Sequence, residues 1–177
     1  MPALQLAVRA VRRWLPAILC TSGLCAQTCL VLSPAAVSDD GTAVFDLALH
    51  SPPGKAPAAL QWTFQYTASN VSSLAVEDGP SLKTSMKTAI CAGNTGVYNC
   101  VAAGLNRRAI VNGVIARVTA VLAPGSTTAV IQITNSNAAS PGGSPIPVAA
   151  SVQSPTGLDL SSDCRTLSQP GSLAGKR

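Results

Sequence analysis

The 177 residues have room for one domain of ordinary size and little more. Only 11% of the residues are charged, whereas Gly and Pro contribute 14 and 13, a composition that suits short strands joined by turns. The net charge of +5 does not indicate nucleic-acid binding, because three of the twelve basic residues lie between Arg9 and Arg13, in a segment that we expect to be removed. The other nine are scattered and face seven acids, so we expect no nucleic-acid partner.

Residues 1–26 are typical of a secretory signal peptide. A basic region ends at Arg13, an apolar stretch runs from Trp14 to Leu24, and small residues lead to Ala26. We therefore predict cleavage near Ala26 and a secreted, extracellular or cell-envelope protein without a stable membrane anchor. An uncleaved anchor is the alternative, because apolar residues continue to Leu32, but polar residues interrupt that run before it reaches the ~20 apolar residues of a spanning helix.

The rest of the chain predicts an all-β sandwich, because turn signals recur about every ten residues and no segment has a helical period. A final polar segment, 157–177, reads as a tail, which leaves 27–156 as the domain. The predicted strands are 29–37, 42–50, 60–66, 81–91, 97–105, 113–122, 128–134 and 146–152, with 69–80 as a long connection whose Leu74 and Val76 turn towards the core.

The third strand has the clearest pattern, a strict period of two. Its apolar side chains share the face that we expect to form the core: Leu60, Trp62, Phe64 and Tyr66. Its polar side chains share the other face: Gln61, Thr63 and Gln65. An uncharged polar face suits a protein partner if neighbouring strands add apolar side chains, so these three residues are candidate partner-binding residues. The alternative is an ordinary solvated face.

Three segments, taken in order, resemble the cohesin domain, a nine-stranded jelly-roll β-sandwich that binds dockerin modules in cellulosomes and related assemblies. They are Ala58 to Tyr66 followed by Val71 to Val76, the stretch Asn112 to Val118, and the stretch Ser144 to Val148. The resemblance covers 30–154. It implies a non-catalytic module that docks an extracellular protein, such as one carrying a dockerin, in polysaccharide degradation.

The sequence departs from the cohesin pattern at the third strand. Cohesins that hold dockerins tend to carry Asn and Asp, two residues apart, where this chain has Ala59 and Gln61. The Asp-Pro that usually follows the Tyr is replaced by Thr67-Ala68. The resemblance therefore implies the fold more firmly than it implies a dockerin partner.

The sequence does not favour an enzyme, a cofactor or a metal site. His50 is the only histidine, and the paired carboxylates Asp39-Asp40 and Glu77-Asp78 are neighbours in the chain rather than groups facing each other across a cleft. No phosphate-binding loop, nucleophile elbow or histidine metal motif is present.

Direct polysaccharide binding is the main alternative function, and a structural envelope protein is a further one. Sugar-binding modules stack pyranose rings on exposed aromatic side chains. Most aromatic residues here lie on predicted core faces, so Tyr98 is the candidate carbohydrate-binding residue.

Four cysteines remain after the predicted cleavage: Cys29, Cys91, Cys100 and Cys164. In an oxidising compartment they suggest two disulfides, with three possible connectivities. The turn-forming residues 93–96 lie at the centre of the segment from Cys91 to Cys100, so a symmetric hairpin would place these two cysteines opposite each other within disulfide reach. We predict a Cys91–Cys100 disulfide and, by elimination, a Cys29–Cys164 disulfide.

Overall fold

The computed structural model describes residues 27–33 and 37–150, together with the backbone of 152–154 and 157–159. The predicted signal peptide and most of the predicted tail lie outside these ranges. The elements are β1 (Thr28–Leu32), β2 (Thr42–His50), β3 (Ala59–Tyr66), β4 (Val71–Asp78), α1 (Pro80–Thr84), β5 (Thr88–Asn94), β6 (Val97–Ala103), β7 (Gly113–Leu122), β8 (Ile131–Ala139), β9 (Pro145–Ala150), β10 (Val152–Ser154) and β11 (Gly157–Asp159).

Of the helices found in these ranges, none is long and apolar enough to cross a membrane.

Nine strands form a jelly-roll sandwich, as the resemblance to cohesins implies. They follow one hydrogen-bonded path, β4-β7-β2-β1-β9-β8-β3-β6-β5. Strand β9 joins the two sheets, because its first half pairs with β8 through Pro147 and Asn137, and its second half pairs with β1 through Val148 and Thr28. The β1–β9 pairing is parallel, and the other pairings along the path are antiparallel. The sandwich is therefore closed along one side by a shared strand.

The inner faces of the two sheets form one apolar core. Strand β2 contributes Phe45, Leu47 and Leu49, and β3 contributes Leu60, Trp62 and Phe64, all of them nearly inaccessible to solvent. The Trp62 and Phe64 rings meet edge to face, with centroids 6.2 Å apart and planes at 84°. The period-two patterns of β2 and β3 correctly predict which of their large apolar side chains are buried.

Two predictions between β3 and β6 are wrong. Residues 69–80 are not a plain connection, because β4 spans most of them and pairs with β7, with Leu74 and Val76 packed against the core as expected. Residues 81–91 are not a single strand, because α1 precedes β5. Proline at the first helical turn starts α1, and five residues are too few to show a helical period.

Two bulges interrupt the period-two alternation of a regular strand. In β7, Ile115 is an extra residue opposite the Leu47–Ala48 step of β2, so Ile115 and Ala116 are both buried, and burial alternates only from Ala116 onward. In β8, Asn135 and Ser136 together face one residue of β3, and Asn135 adopts a left-handed backbone with φ 49°. Asparagine tolerates this conformation, so β8 continues to Ala139 instead of ending at 134.

The first strand of the sandwich and the segment that follows its last strand also differ from prediction. Strand β1 ends at Leu32, and Val37 makes only an isolated bridge to Ala43, so a continuous 29–37 strand is wrong. Strand β11 lies within the predicted tail and pairs with β10. Residues 160–177 lie outside the described ranges.

The β5–β6 hairpin confirms the predicted Cys91–Cys100 disulfide. Cys91 and Cys100 are directly opposed in the ladder, with their Cα atoms 4.1 Å apart, and their sulfurs are bonded. Thr95 and Gly96 form the turn. Strand β5 lies at the edge of its sheet, so the disulfide attaches an edge strand to the neighbour that holds it.

Replacing both cysteines, C91A/C100A, should lower the free energy of unfolding by about 2–3 kcal/mol, because the closed ten-residue loop no longer restricts the unfolded chain. Urea denaturation without reductant measures the change, and thiol counting verifies that the Cys29 disulfide is intact. A loss below about 1 kcal/mol would contradict this estimate.

Helix α1 ends in a Schellman motif that turns the chain into β5. The Met86 N–H donates to the Lys83 carbonyl and the Lys87 N–H donates to the Leu82 carbonyl. Met86 occupies the left-handed position, with φ 52°, that glycine usually takes. Its side chain is 55% exposed, so packing does not explain the choice of methionine.

The substitution Met86→Gly should raise the free energy of unfolding by about 0.5–1 kcal/mol, because relief of the left-handed strain exceeds the added entropy of the unfolded chain. Lys83→Gly is the matched control on the exposed side of the helix, and it should lower stability by about 0.5–1 kcal/mol. Urea midpoints compare the two; destabilisation by both would show that Met86 makes contacts that stabilise the fold.

Candidate functional site

The outer face of the β8-β3-β6-β5 sheet presents a continuous set of uncharged side chains. Directly opposed residues share a face of the sheet, so the ladders place these side chains in three rows that cross four strands. We name this set the neutral face. From β5 to β8 its rows are Ile90, Val101, Gln61 and Asn137; Ala92, Asn99, Thr63 and Thr134; and Asn94, Val97, Gln65 and Gln132.

The neutral face has an apolar half and a polar half. Strands β5 and β6 carry three exposed aliphatic side chains: Ile90 is 75% exposed, Val101 44% and Val97 40%. Strands β3 and β8 carry Gln, Asn and Thr at the outward positions. Such a mixture of apolar area and hydrogen-bonding groups is typical of protein–protein interfaces.

The three predicted partner-binding residues lie on this face, but they differ in solvent exposure. Gln61 and Gln65 are exposed, as expected from the alternation. Thr63 is only 4% exposed, and its hydroxyl donates to Asn99 Oδ1 at 2.7 Å. Thr63 is therefore a fixed part of the sheet that orients the exposed Asn99, and it offers almost no area to a partner.

The structure does not place Tyr98 where the sequence predicts. Tyr98 is opposed to the core residue Phe64 and packs against the core, so its ring is half-buried rather than exposed. The ring covers Gly93 on β5, where a Cβ would lie 2.9 Å from Tyr98 Cδ2 and would clash with the Val97 carbonyl oxygen. A carbohydrate-binding role for Tyr98 stays a prediction, without the exposed ring on which it depends.

The aromatic residues of ranges 27–33 and 37–150 are all buried or half-buried. Phe45, Trp62 and Phe64 lie in the core, and Tyr66 packs against it as Tyr98 does. This part of the chain therefore offers no exposed ring on which a sugar could stack.

The apolar half of the neutral face does not follow from the strand patterns alone. The sequence places Ile90 in a strand, but the direction of its side chain depends on the register of the β5–β6 hairpin. The predicted Cys91–Cys100 pairing contains that information, because a residue next to an inward-pointing cysteine points outward. Ile90 and Val101 flank the disulfide in this way and are directly opposed.

The outer face of the other sheet differs in charge. Glu77, Arg117 and Asp46 lie in one row across β4, β7 and β2, and Arg117 Nε lies 3.3 Å from Asp46 Oδ1. Both side chains are well exposed, so this pair contributes little to stability. The other face also carries exposed aliphatic side chains, Val44 and Val121, but they lie beside this ion pair, whereas the three rows of the neutral face carry no formal charge.

Of the other two predicted cysteine partners, Cys29 is buried and disulfide-bonded. Cys164 lies outside the described residues, so the Cys29–Cys164 pairing stays a prediction.

Comparisons with known proteins identify the fold. No family model matches this sequence, and no curated protein matches it significantly. Solved cohesins do match the structure. The sixth cohesin of scaffoldin B from Acetivibrio cellulolyticus, solved in complex with a Cel5 dockerin mutant, aligns with a TM-score of 0.60 at 10% identity, over 70% of this chain and 94% of that one.

The fold is cohesin-like. A type I cohesin–dockerin complex from Clostridium thermocellum, Coh-OlpC with Doc435, gives a TM-score of 0.59 at 14% identity, over 70% of this chain and 88% of that one. The non-cellulosomal cohesin of the archaeon Archaeoglobus fulgidus gives 0.57 at 10% identity, over 71% and 86%. This likeness confirms the resemblance at the level of the cohesin-like fold.

Thr63→Val tests the position of Thr63 on the neutral face. It should lower the free energy of unfolding by about 1 kcal/mol, because a buried hydroxyl loses its hydrogen bond. Gln61→Ala, on the same strand but exposed, should change stability by less than about 0.5 kcal/mol. Equal effects in urea denaturation would contradict the burial of Thr63.

Proposed function

We propose that this protein is a non-catalytic docking module that binds a protein partner through the neutral face. The observation that carries the proposal is the register that brings Ile90 and Val101 beside the polar rows of β3 and β8. The cohesin-like fold supports it, because solved cohesins with this fold hold dockerin modules. We further propose that this partner is a dockerin-like module.

The exposed aliphatic side chains provide a reason for a partner to bind. Burying a side chain such as isoleucine or valine completely is favourable by about 1.5–3 kcal/mol. Ile90 is 75% exposed on an edge strand, where uncovered apolar residues favour aggregation, so a partner that covers it would remove that exposure. The apolar half of the face therefore supplies affinity.

The polar half would supply register and specificity. Gln61, Gln65, Asn137 and Gln132 each offer an amide that both donates and accepts. Their rows lie at fixed spacing, so a partner has to match them or leave buried amides unpaired, at a cost of about 1–3 kcal/mol for each group. Ala59 and Gln61 replace the Asn and Asp of dockerin-binding cohesins, so we expect recognition through amides rather than through a carboxylate on β3.

Export by the predicted signal peptide would place this module outside the cytoplasm, where its disulfides are stable. A role in polysaccharide degradation is part of the finer proposal and rests on the cohesin-like fold. Direct polysaccharide binding has less support, because the described aromatic side chains are buried or half-buried.

Val101→Glu should weaken partner binding at least tenfold, because it puts a charge among groups that become dry in the complex. The matched control is Val44→Glu on the opposite outer face, since Val44 and Val101 are both 44% exposed. Val44→Glu should bind like the unsubstituted protein and have a similar melting temperature to Val101→Glu.

The measurement uses the immobilised full mature chain, a set of purified dockerin modules that includes the Cel5 dockerin, and a polysaccharide panel. Binding of a dockerin with selective loss in Val101→Glu supports the proposal. Equal loss in both variants, or binding of polysaccharide alone, would contradict docking through the neutral face.

A further inference from the structure

A cavity of about 360 Å³ opens where the neutral face ends. Beyond the three rows, the outward positions of β3, β6 and β8 are occupied by Ala59, Ala103 and Ala139, and these three alanines line the cavity. Their small side chains leave a depression that the loops 104–107 and 140–143 complete. The volume lies near the lower limit of ligand pockets, which hold roughly 300–1,000 Å³, and so suits one side chain rather than a large ligand.

A lysine amine is buried in the wall of this cavity. Lys87 is 3% exposed, and its Nζ donates to the Asn106 carbonyl oxygen at 2.6 Å. The Schellman motif at the end of α1 directs the chain inward at this residue. Asn106 is itself held in place, because its side-chain amide donates to the Met86 carbonyl at 2.9 Å and its Oδ1 accepts from the Arg108 N–H at 2.9 Å.

The charge of Lys87 is not balanced by an acid within the side chains that the structure describes. No carboxylate oxygen there lies within 4.0 Å of its nitrogen, and the ion pair found among these residues joins Arg117 to Asp46. A second cation, Arg107, lines the same cavity, and none of the lining residues is acidic. Burying a charge is costly unless it is paired, and an ammonium group has three donors, of which one has a partner here.

We propose that the cavity binds a carboxylate, supplied by an Asp or Glu side chain of the protein that docks on the neutral face. Lys87 forms the charge-assisted hydrogen bond at the base of the cavity, and Arg107 closes over the carboxylate from the exposed loop. This proposal rests on the docking function above and adds to it one recognition element: the partner carries an acidic residue at the edge of its interface.

The size of the neutral face supports an occupant from the protein partner. The face spans roughly 14 Å by 14 Å between its outermost Cα atoms, given ordinary strand spacing and rise. A stable interface covers about 800 Å² on each partner, so the contact has to extend past the three rows. The alanine row continues the same surface into the cavity, and a partner that extends in this direction reaches Lys87.

The carboxylate site can be tested without the partner by NMR titration of the full mature chain at constant ionic strength. The probe is glutamate capped as N-acetyl and N-methylamide, and capped glutamine is its neutral match. Gly104, Gly142 and Gly143 line the cavity, so their amide resonances report binding, while Gly54 and Gly125, outside the lining, serve as references. We expect capped glutamate to shift the three cavity glycines saturably and capped glutamine to leave them unchanged.

Lys87→Met should raise the Kd for capped glutamate at least tenfold, the effect of losing a hydrogen bond to a charged group. Lys83→Met, in α1 four residues earlier and outside the cavity lining, should leave the Kd unchanged. Arg107→Gln, in an exposed loop, should raise the Kd severalfold and serves if Lys87→Met does not fold.

Any of three results would overturn the proposal: no shift with capped glutamate, equal shifts with capped glutamate and capped glutamine, or tighter binding of galacturonate, which would assign the cavity to an acidic polysaccharide. Failure of the docking function is recognised separately, because it appears as equal partner binding by Val101→Glu and Val44→Glu. If Val101→Glu alone weakens partner binding but capped glutamate causes no shifts, the protein docks its partner without using this cavity.

Discussion

The register of β3 between β8 and β6 is the constraint on which the rest of the structure depends. Burial of Leu60, Trp62 and Phe64 fixes which face of the strand points into the core. A shift of one residue in the pairing would exchange every inward side chain for an outward one. The same register aligns the outward amides of β3 with their neighbours on both sides. The core and the neutral face are therefore two consequences of one pairing.

The disulfide extends this order to the edge of the sheet. An edge strand has one hydrogen-bonded neighbour and is the easiest strand to detach. The Cys91–Cys100 bond holds β5 to β6, and it does so in the row next to Ile90 and Val101. A rigid edge allows exposed aliphatic side chains to be presented at a defined position, which lowers the entropic cost of binding.

The two outer faces differ in charge, and therefore in the desolvation cost of covering them with a partner. Around Arg117 the surface is ionic and well solvated, whereas the neutral face has no formal charge to desolvate when a partner covers it. The charge of Lys87, which has no acidic partner among the described side chains, lies just beyond that face, in a cavity formed by small side chains and loops. A single ionic contact at the rim of an otherwise neutral interface would orient a partner without a large desolvation penalty over the centre.

Much of this architecture can be predicted from local sequence. Where a strand alternates without interruption, as in β2 and β3, burial of one side chain implies exposure of the next, so the inward set and the outward Gln61 and Gln65 follow directly. The Cys91–Cys100 disulfide follows from the symmetry of a hairpin, which is also local. The order of such segments along the chain carries the resemblance to cohesins.

Tertiary structure decided what local pattern could not. Bulges at Ile115 and Asn135 depend on the partner strand, because an extra residue has meaning only against a neighbour that lacks it. Thr63 is buried and Tyr98 packs inward because of residues on other strands. Lys87 looks like any surface lysine in the sequence, but in the fold it is buried and donates to the Asn106 carbonyl of a distant loop. Sequence periodicity determined which side of each regular strand faces the core, whereas the cavity and its buried charge depend on contacts between segments distant in the chain.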